Sequence, residues 1–481
     1  MHLKSVTLTN FRCFDSLTVD LHPRLTVFVA ENAGGKTTIL DGIAVGLTPI
    51  LTQFSSANQR LSGPGIKDTT DFRILPTQGR IELKAPFTQI AMLSTTGLRW
   101  DNWKASEKGA QPPEKIGQAL LTPLSDITKS YATEVIQTLP VFAYYGAQRG
   151  LIEIPTRLRE NVTQEVNYNY PTSGLFGALD AQSDFKEMLK WFDAEESSEL
   201  RKQKESPDEL VKSVALAAVR RAITTVLGGK YHAPHFDSKH KFCVLADEEP
   251  KKLQVSQLSQ GYKSMLALVM DFARRLALAN EHLAEADQGA DVRAAALTYY
   301  RRWNDTDDFD DLDLLDSGPA LAPAIMLIDE VDLHLHPSWQ QRVLGDLMRA
   351  FPGTQFIVTT HSPQVLTTVR KENIRRLARE VTAENPEGQW VARMPDHSPL
   401  AQESADALAH IMGTYPRPPL PLIADLHAYE QLARAGLAET EEARAILARL
   451  TTAGFEFNQA DLSLFTFLAA QKAKKEGEHR G

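Results

Sequence analysis

Along residues 25–47 the pattern of apolar and polar positions changes twice. LTVFV is an unbroken apolar run, AENAGG is a break of small residues, and KTTILDGIAVGL resumes at helical spacing. Such a succession predicts a buried strand, a tight loop and a helix. Ahead of it, residues 3–8 and 17–21 alternate apolar with polar, which predicts an antiparallel pair. Three later runs, PVFAYYG at 140–146, AIMLIDE at 324–330 and QFIVTTH at 355–361, are apolar enough for strands buried on both faces. Each ends in groups capable of chemistry: Gln148 and Arg149, Asp329 and Glu330, and His361. Residues 180–227 keep helical spacing without sustained heptads, so a short helical hairpin is expected and a long coiled coil is not. Residues 404–471 predict four short amphipathic helices, punctuated by Pro416, Pro418, Pro419 and Pro421. Residues 51–71 and 100–115 are polar and irregular and predict loops, with a strand resuming at 80–84.

Composition narrows the class. A chain of 481 residues predicts two or three domains, and 43% hydrophobic with 23% charged residues is ordinary for a soluble globular protein. Lys+Arg 52 against Asp+Glu 61 gives a net charge of -9, so nucleic acid must be met by a local patch or through a partner. Two cysteines, Cys13 and Cys243, are too few for a thiolate zinc site and are expected as core thiols. No apolar run reaches bilayer length, and a cytoplasmic protein is expected. The stretch 305–316 holds seven aspartates but lacks the central glycine and bidentate glutamate of a calcium loop, and reads as a solvated acidic insertion.

The candidate chemistry starts in the small-residue break. Gly34 and Gly35 would let backbone N–H groups point at phosphate oxygens, with a helix N-terminus behind them. Lys36 would reach the β- and γ-phosphates, and Thr37 would sit on Mg²⁺, flanked by Asn32 and Thr38. The strict spacing fails at Ala30, which stands where a first glycine belongs, and Ala33 adds a second methyl. A plain strand-to-helix turn before a lysine is the alternative. Ser259 and Gly261, in LSQGYK before a second helix, form another candidate anion site or an ordinary N-cap. Asp329 suits a Mg²⁺ shell and Glu330 an attacking water, unless both are merely polar loop residues. His361 could face the γ-phosphate or serve structure only. His334 and His336 alternate near it, but no further spaced ligand completes a zinc site, so they read as loop. Arg12 could cover a nucleobase with Phe11 and Phe14, or the rings could pack in the core; Arg149 is a phosphate or dimer contact, or a plain surface arginine.

Taken in order, AENAGGKTT, LSQGYK, IMLIDE, VDLHLHP and His361 resemble the Walker A, signature, Walker B, D-loop and switch histidine of the ABC-type ATPase head. The opening LTNFRCFDSLTVDL is similar to the RecF, SMC and OLD-like branch. The segment AYYGAQR, the compact middle and the helical tail resemble PtuA, the ATPase of Septu anti-phage systems, and its retron-associated relatives. The resemblance implies an α/β fold: an ABC-ATPase head with a mixed central sheet, flanking helices and an antiparallel β subdomain, plus a helical insertion and a C-terminal helical domain. It implies ATP and Mg²⁺ as cofactors, with Lys36, Thr37 and Asp329 as the cradle and Glu330 and His361 as catalytic residues. It also implies a head-to-tail homodimer in which Ser259 and Gly261 of one chain close on the nucleotide of the other. The implied partner is an HNH endonuclease of the PtuB type, with nucleic acid met through the complex.

The expected divisions are an N-terminal ATPase lobe at 1–150, a helical insertion at 151–250, a C-terminal lobe at 251–400 and a helical interaction domain at 401–481. A RecF-type repair clamp would need a basic groove, which the acidic balance disfavours. An OLD-type nuclease would need a carboxylate set in the tail; Asp406, Asp425, Glu430 and Asp461 lack the Glu then Asp-x-Asp strand pattern.

Overall fold

The computed structural model describes residues 1–56, 59–75, 82–131, 137–151, 170–181, 185–208, 211–247, 251–284, 290–303, 318–381, 388–414, 417–438, 440–457, 459 and 463–468. The acidic stretch 305–316, the start of the strand expected at 80–84, Pro416, Asp461 and both ends of the last tail helix lie outside the described residues. The chain divides into two compact units, Met1–Met412 and Gly413–Gly481.

Among the described residues of the first unit, fifteen strands occur in four sheets. In chain order they are β1 Leu3–Phe11, β2 Phe14–Asp20, β3 Leu25–Val29, β4 Ile74–Leu75, β5 Leu83–Lys84, β6 Phe87–Ser94, β7 Arg99–Ala105, β8 Val141–Tyr145, β9 Tyr231–Phe236, β10 Phe242–Ala246, β11 Lys251–Gln254, β12 Ala324–Ile328, β13 Thr354–Thr359, β14 Ile374–Glu380 and β15 Gln389–Arg393. The central sheet runs β15-β14-β3-β13-β12-β8. Its strands are parallel except for the antiparallel edge strand β15. Every residue of β3, β8, β12 and β13 is buried, as expected of parallel strands covered on both faces. A four-stranded antiparallel sheet, β2-β1-β6-β7, forms the second layer, and β1 and β2 alternate buried with open positions.

Two expectations need correction. Residues 100–105 are not loop but part of β7, because their polar side chains have partners to serve. The Lys36–Gln53 helix contains Pro49, which brings no N–H to the carbonyl of Val45. Asn102 Nδ2 donates to that carbonyl at 3.1 Å, and the fully buried Trp100 donates Nε1 to Gly46 O at 2.7 Å. The second correction lies in 151–250. The helices Phe185–Glu205 and Val214–Val226 form there, tied by Arg220 to Glu199 and Glu196. The three-stranded sheet β11-β10-β9 forms beside them, from residues whose apolar runs are too short to stand out as strands.

The second unit has its own core. Helices Ile423–Arg434 and Glu441–Thr452 bury Leu426, Tyr429, Ala433, Ala443, Ile446 and Leu450, closed by Phe465. No described helix is long and apolar enough to cross a membrane.

Candidate functional site

The site is built where β3, β12 and β13 end. After β3, the chain bends through residues 30–35 and enters the Lys36–Gln53 helix. Gly35 caps that helix at φ +83, where a Cβ would stand 2.5 Å from the Phe14 ring. A Cβ on Gly34 would stand 2.6 Å from that of Ala30 and 2.9 Å from Glu31 O. Both positions therefore require glycine, and the loop they form is a cradle that added carbon would fill. Ala33 takes φ +63, so it adopts the left-handed backbone a glycine would take there, at a cost of about 1–2 kcal/mol.

Lys36 is buried along its stem, and its Nζ donates to Ala30 O at 2.9 Å and Glu31 O at 3.1 Å, which folds it over the loop. Burial draws its ammonium below the ordinary range, opposed by the charges of Asp329, Glu330 and Asp332. Those opposing charges place the lysine in the field of the carboxylates at the end of β12. Thr37 Oγ1 donates to Asp329 Oδ2 at 2.8 Å, and Thr359 Oγ1 to Asp329 Oδ1 at 2.6 Å. Asp329 is only 3% exposed, yet both carboxylate oxygens are satisfied. A hydroxyl and a carboxylate in this contact are a hard oxygen pair, which suits Mg²⁺ and no soft metal. Thr38 follows in the first helical turn and hydrogen-bonds the Cys13 thiol, while Asn32 is exposed on the loop.

Glu330 and His361 complete the sequence-derived set at this end of the sheet. Glu330 is half-buried at φ +50, and its N–H donates to Thr359 Oγ1 at 2.7 Å. His361 is half-buried beyond β13, and its N–H donates to Asp332 Oδ1 at 3.4 Å; Thr360 Oγ1 donates to the same oxygen at 2.6 Å. Asp332 thus holds the histidine segment against the turn that follows Glu330. Nearby, His336 caps the short helix Pro337–Gln340 through Ser338 N.

The signature residues stand apart from this cluster within one chain. Ser259 is the exposed N-cap of the Gln260–Ala279 helix, but its side chain makes no capping bond. Gly261 is buried against the turn after β12, where a Cβ would stand 2.5 Å from His334 O. No hydrogen bond joins Ser259 to Lys36 or Thr37.

Arg12 behaves differently from the reading that had it cover a base. Its guanidinium is held by Asp41 at 2.5 Å and Asp71 at 2.9 Å, while Phe11 and Phe14 are fully buried. Cys13, expected in the core, is exposed because the turn it occupies lies along the loop before Lys36. Its carbonyl accepts Trp390 Nε1 at 3.0 Å. Trp390, Arg376, Arg379, Asn32 and Gly34 line a cavity of about 400 Å³ beside that loop. One residue escaped the sequence reading, and another has a different place from the one expected. Thr359, the second holder of Asp329, sits two places before His361 and was legible only as a hydroxyl at a strand end. Arg149 is 5% exposed, hence neither a surface arginine nor open to a phosphate; it donates to the carbonyls of Gly146, Asp329 and Glu330.

Comparison with known proteins bears on the family of the chain. Residues 25–367 match a family described as "AAA domain, putative AbiEii toxin, Type IV TA system". The "Retron Ec83 probable ATPase" of Escherichia coli is 26% identical over 444 residues, covering 81% of this chain and 73% of that protein. The "Retron Vc95 probable ATPase" of Vibrio cholerae serotype O1 biovar El Tor is 23% identical over 498 residues, covering 93% and 86%. The "Septu protein PtuA" of Bacillus mycoides (strain KBAB4) is 55% identical over 42 residues, 9% of this chain and 6% of that protein. The chain belongs to this AAA-domain family and is an ABC-type ATPase of the RecF- and SMC-like branch.

Proposed function

We propose that this ATPase binds ATP and Mg²⁺ at Lys36, Thr37 and Asp329, hydrolyses ATP with Glu330 and His361, and closes as a head-to-tail dimer. In that dimer Ser259 and Gly261 of one copy meet the γ-phosphate held by the other. The cycle controls an HNH endonuclease partner in defence against invading nucleic acid. Similarity over most of the chain runs to two retron ATPases and over only 42 residues to PtuA, so the defence reading rests mainly on the retron relatives.

One observation carries the ATP reading: Thr37 and Thr359 hold Asp329 from both sides, directly behind a loop that only Gly34 and Gly35 allow. The backbone N–H groups of the loop and the end of the Lys36–Gln53 helix favour an anion. Lys36 adds a point charge, and the oxygens of Thr37 and Asp329 present a hard-ion seat. Mg²⁺, when bound, neutralises charge on the phosphate oxygens. Glu330, half-buried and close to that seat, accepts a proton from water or orients it. His361, held by Asp332, offers a ring to the same space.

Two substitutions test the reading. Lys36→Ala should abolish ATP binding in calorimetry, whereas Glu330→Gln should keep ATP bound and slow hydrolysis by roughly 10²–10⁴. Undiminished ATP affinity in Lys36→Ala would remove the site. For the partner, the adjacent reading frame should encode a small HNH protein that co-purifies with this chain, and purification without it counts against the nuclease assignment.

A further inference from the structure

We infer that Arg149 is a positioning residue for Glu330: its guanidinium grips the carbonyls on both sides of the Glu330 peptide and fixes the left-handed bend that aims the carboxylate. The inference rests on the reading of Glu330 as the group that orients water, and it assigns a task to a residue outside the phosphate loop.

Burying a guanidinium is costly unless its donors are met. Arg149 is 5% exposed; among the described residues no carboxylate hydrogen-bonds to it and its Nε has no partner, so both Nη groups carry the contacts. Its partners are backbone carbonyls at the ends of two neighbouring parallel strands. Nη1 donates to Gly146 O just beyond β8 and to Asp329 O just beyond β12, and Nη2 donates to Glu330 O. The fork therefore spans two consecutive peptides, which a planar guanidinium does and a lysine ammonium does not. Burial lowers Arg149 to about 10, with Asp329, Asp332 and Glu330 opposing the shift, so it stays charged at neutral pH.

The backbone accounting around Glu330 shows what the fork does. Asp329 N donates to Tyr145 O at 2.9 Å, Glu330 N to Thr359 Oγ1 at 2.7 Å, and Val331 N to Thr359 O at 2.9 Å. All three N–H groups are fixed by β8 and β13. Arg149 fixes the carbonyls of Asp329 and Glu330 from the other side, and Leu333 N adds a turn bond to Glu330 O. Between these holds Glu330 adopts φ +50, a backbone state that costs an L-residue about 1–2 kcal/mol and persists only where its surroundings impose it. Without the fork Asp329 O loses its donor and Glu330 O keeps only the Leu333 N–H, so the bend has less to keep it. Arg149 meets Asp329 at the backbone carbonyl and not at the carboxylate that Thr37 holds, and it makes no hydrogen bond to Gly34, Gly35 or Lys36. Hydrolysis should therefore suffer while nucleotide binding does not.

The experiment uses the purified full chain with Arg149→Ala and Arg149→Lys, each measured for ATP affinity by calorimetry and for single-turnover hydrolysis. Arg149→Ala should keep the parent's affinity and lose roughly 100-fold in rate, the scale of a misplaced catalytic group. Arg149→Lys, which keeps the charge but not the fork, should lie between the two. If Arg149→Ala does not fold, Arg149→Lys carries the test with the same split between affinity and rate. Combining Arg149→Ala with Glu330→Gln should slow hydrolysis no further than Glu330→Gln alone, because the two act through one carboxylate. An unchanged rate in folded Arg149→Ala, a loss of affinity matching the loss of rate, or additive losses in the double variant would each overturn the inference. Failure of the ATP reading itself shows separately, as undiminished nucleotide binding by Lys36→Ala.

Discussion

Thr37 and Asp329 stand 292 residues apart in the chain, yet a 2.8 Å hydrogen bond joins the threonine hydroxyl to the aspartate carboxylate. The bond ties the first turn of the helix after β3 to the end of β12, with β13 between the two strands. Because Thr359 at the end of β13 holds the other carboxylate oxygen, three adjacent structural elements converge on one acidic group.

Thr37→Val should leave the fold intact and weaken Mg²⁺-dependent ATP binding by roughly 10- to 100-fold, the worth of a hydrogen bond to a charged group. Thr37→Ser, which keeps the hydroxyl, should stay close to the parent. ATP titrations with and without Mg²⁺ check this: equal affinity of Thr37→Val and Thr37→Ser in the presence of the metal removes the hydroxyl from the seat.

Ser259→Arg tests the split site. Ser259 is exposed and its hydroxyl is not spent on capping its own helix, so the change should be tolerated structurally. Binding of ATP to one chain should persist, while ATP-dependent dimerisation of the Glu330→Gln protein, followed by light scattering, should vanish. An ATP-dependent dimer that survives the arginine would exclude the head-to-tail arrangement.

Much of this site was legible because its signals are local. An apolar run followed by Gly34, Gly35 and Lys36 fixes strand, loop and helix within a dozen residues, and AIMLIDE marks a strand end by itself. What was not legible depends on partners remote in sequence. Asn102 reads as loop until Pro49, 53 positions earlier, leaves a carbonyl for it to serve. Arg149 reads as a phosphate or dimer contact, or a surface arginine, until β8 and β12 are known to be neighbours, since its partners include carbonyls 180 and 181 positions away. Cys13 looks like a core thiol because residue type, and not the geometry of the turn, dominates such a reading.

The signature helix is tied to the same strand end by a buried ionic cluster. Asp271 accepts from Arg275 at 2.6 Å, Arg274 at 2.7 Å and Tyr145 Oη at 2.9 Å, and Arg275 also donates to the carbonyls of Gly174 and Phe176. Burial alone would raise the Asp271 carboxyl, but Arg275 and Arg274 outweigh it and hold the group at about 2, below an ordinary value of 3.8. The folded-state value is depressed, so the cluster's contribution is complete above about pH 4 and is lost as pH falls toward 2. Asp271→Asn should cost about 3–5 kcal/mol at pH 7 by leaving buried arginines uncompensated. In urea unfolding the gap between parent and Asp271→Asn should hold from pH 5 to 8 and narrow below pH 4. A gap independent of pH down to 2 contradicts the assignment.

The last prediction concerns the second unit, residues 413–481. Many of its apolar positions are used within it: Leu426, Tyr429, Ile446, Leu450 and Phe465 are buried, and Tyr429, Phe455, Phe457 and Phe465 meet ring to ring. A surplus remains at Leu464, 44% exposed, and Phe467, 58% exposed. The boundary also lies later than the expected start at 401, because Ala407 and Ile411 are each 1% exposed in the core of the first unit. A chain cut at Pro399 would strip those two residues from the head and confound the test, whereas one ending at Met412 leaves that core whole. The shortened chain should fold and bind ATP with the parent's affinity, yet lose co-purification with the nuclease and lose protection against phage. Leu464→Ser with Phe467→Ser in the full chain should reproduce that loss while sparing ATP binding, since neither side chain supports the unit's own core. Full retention of the partner by the shortened chain would move docking to the head, with the hairpin of Phe185–Glu205 and Val214–Val226 the next surface to test.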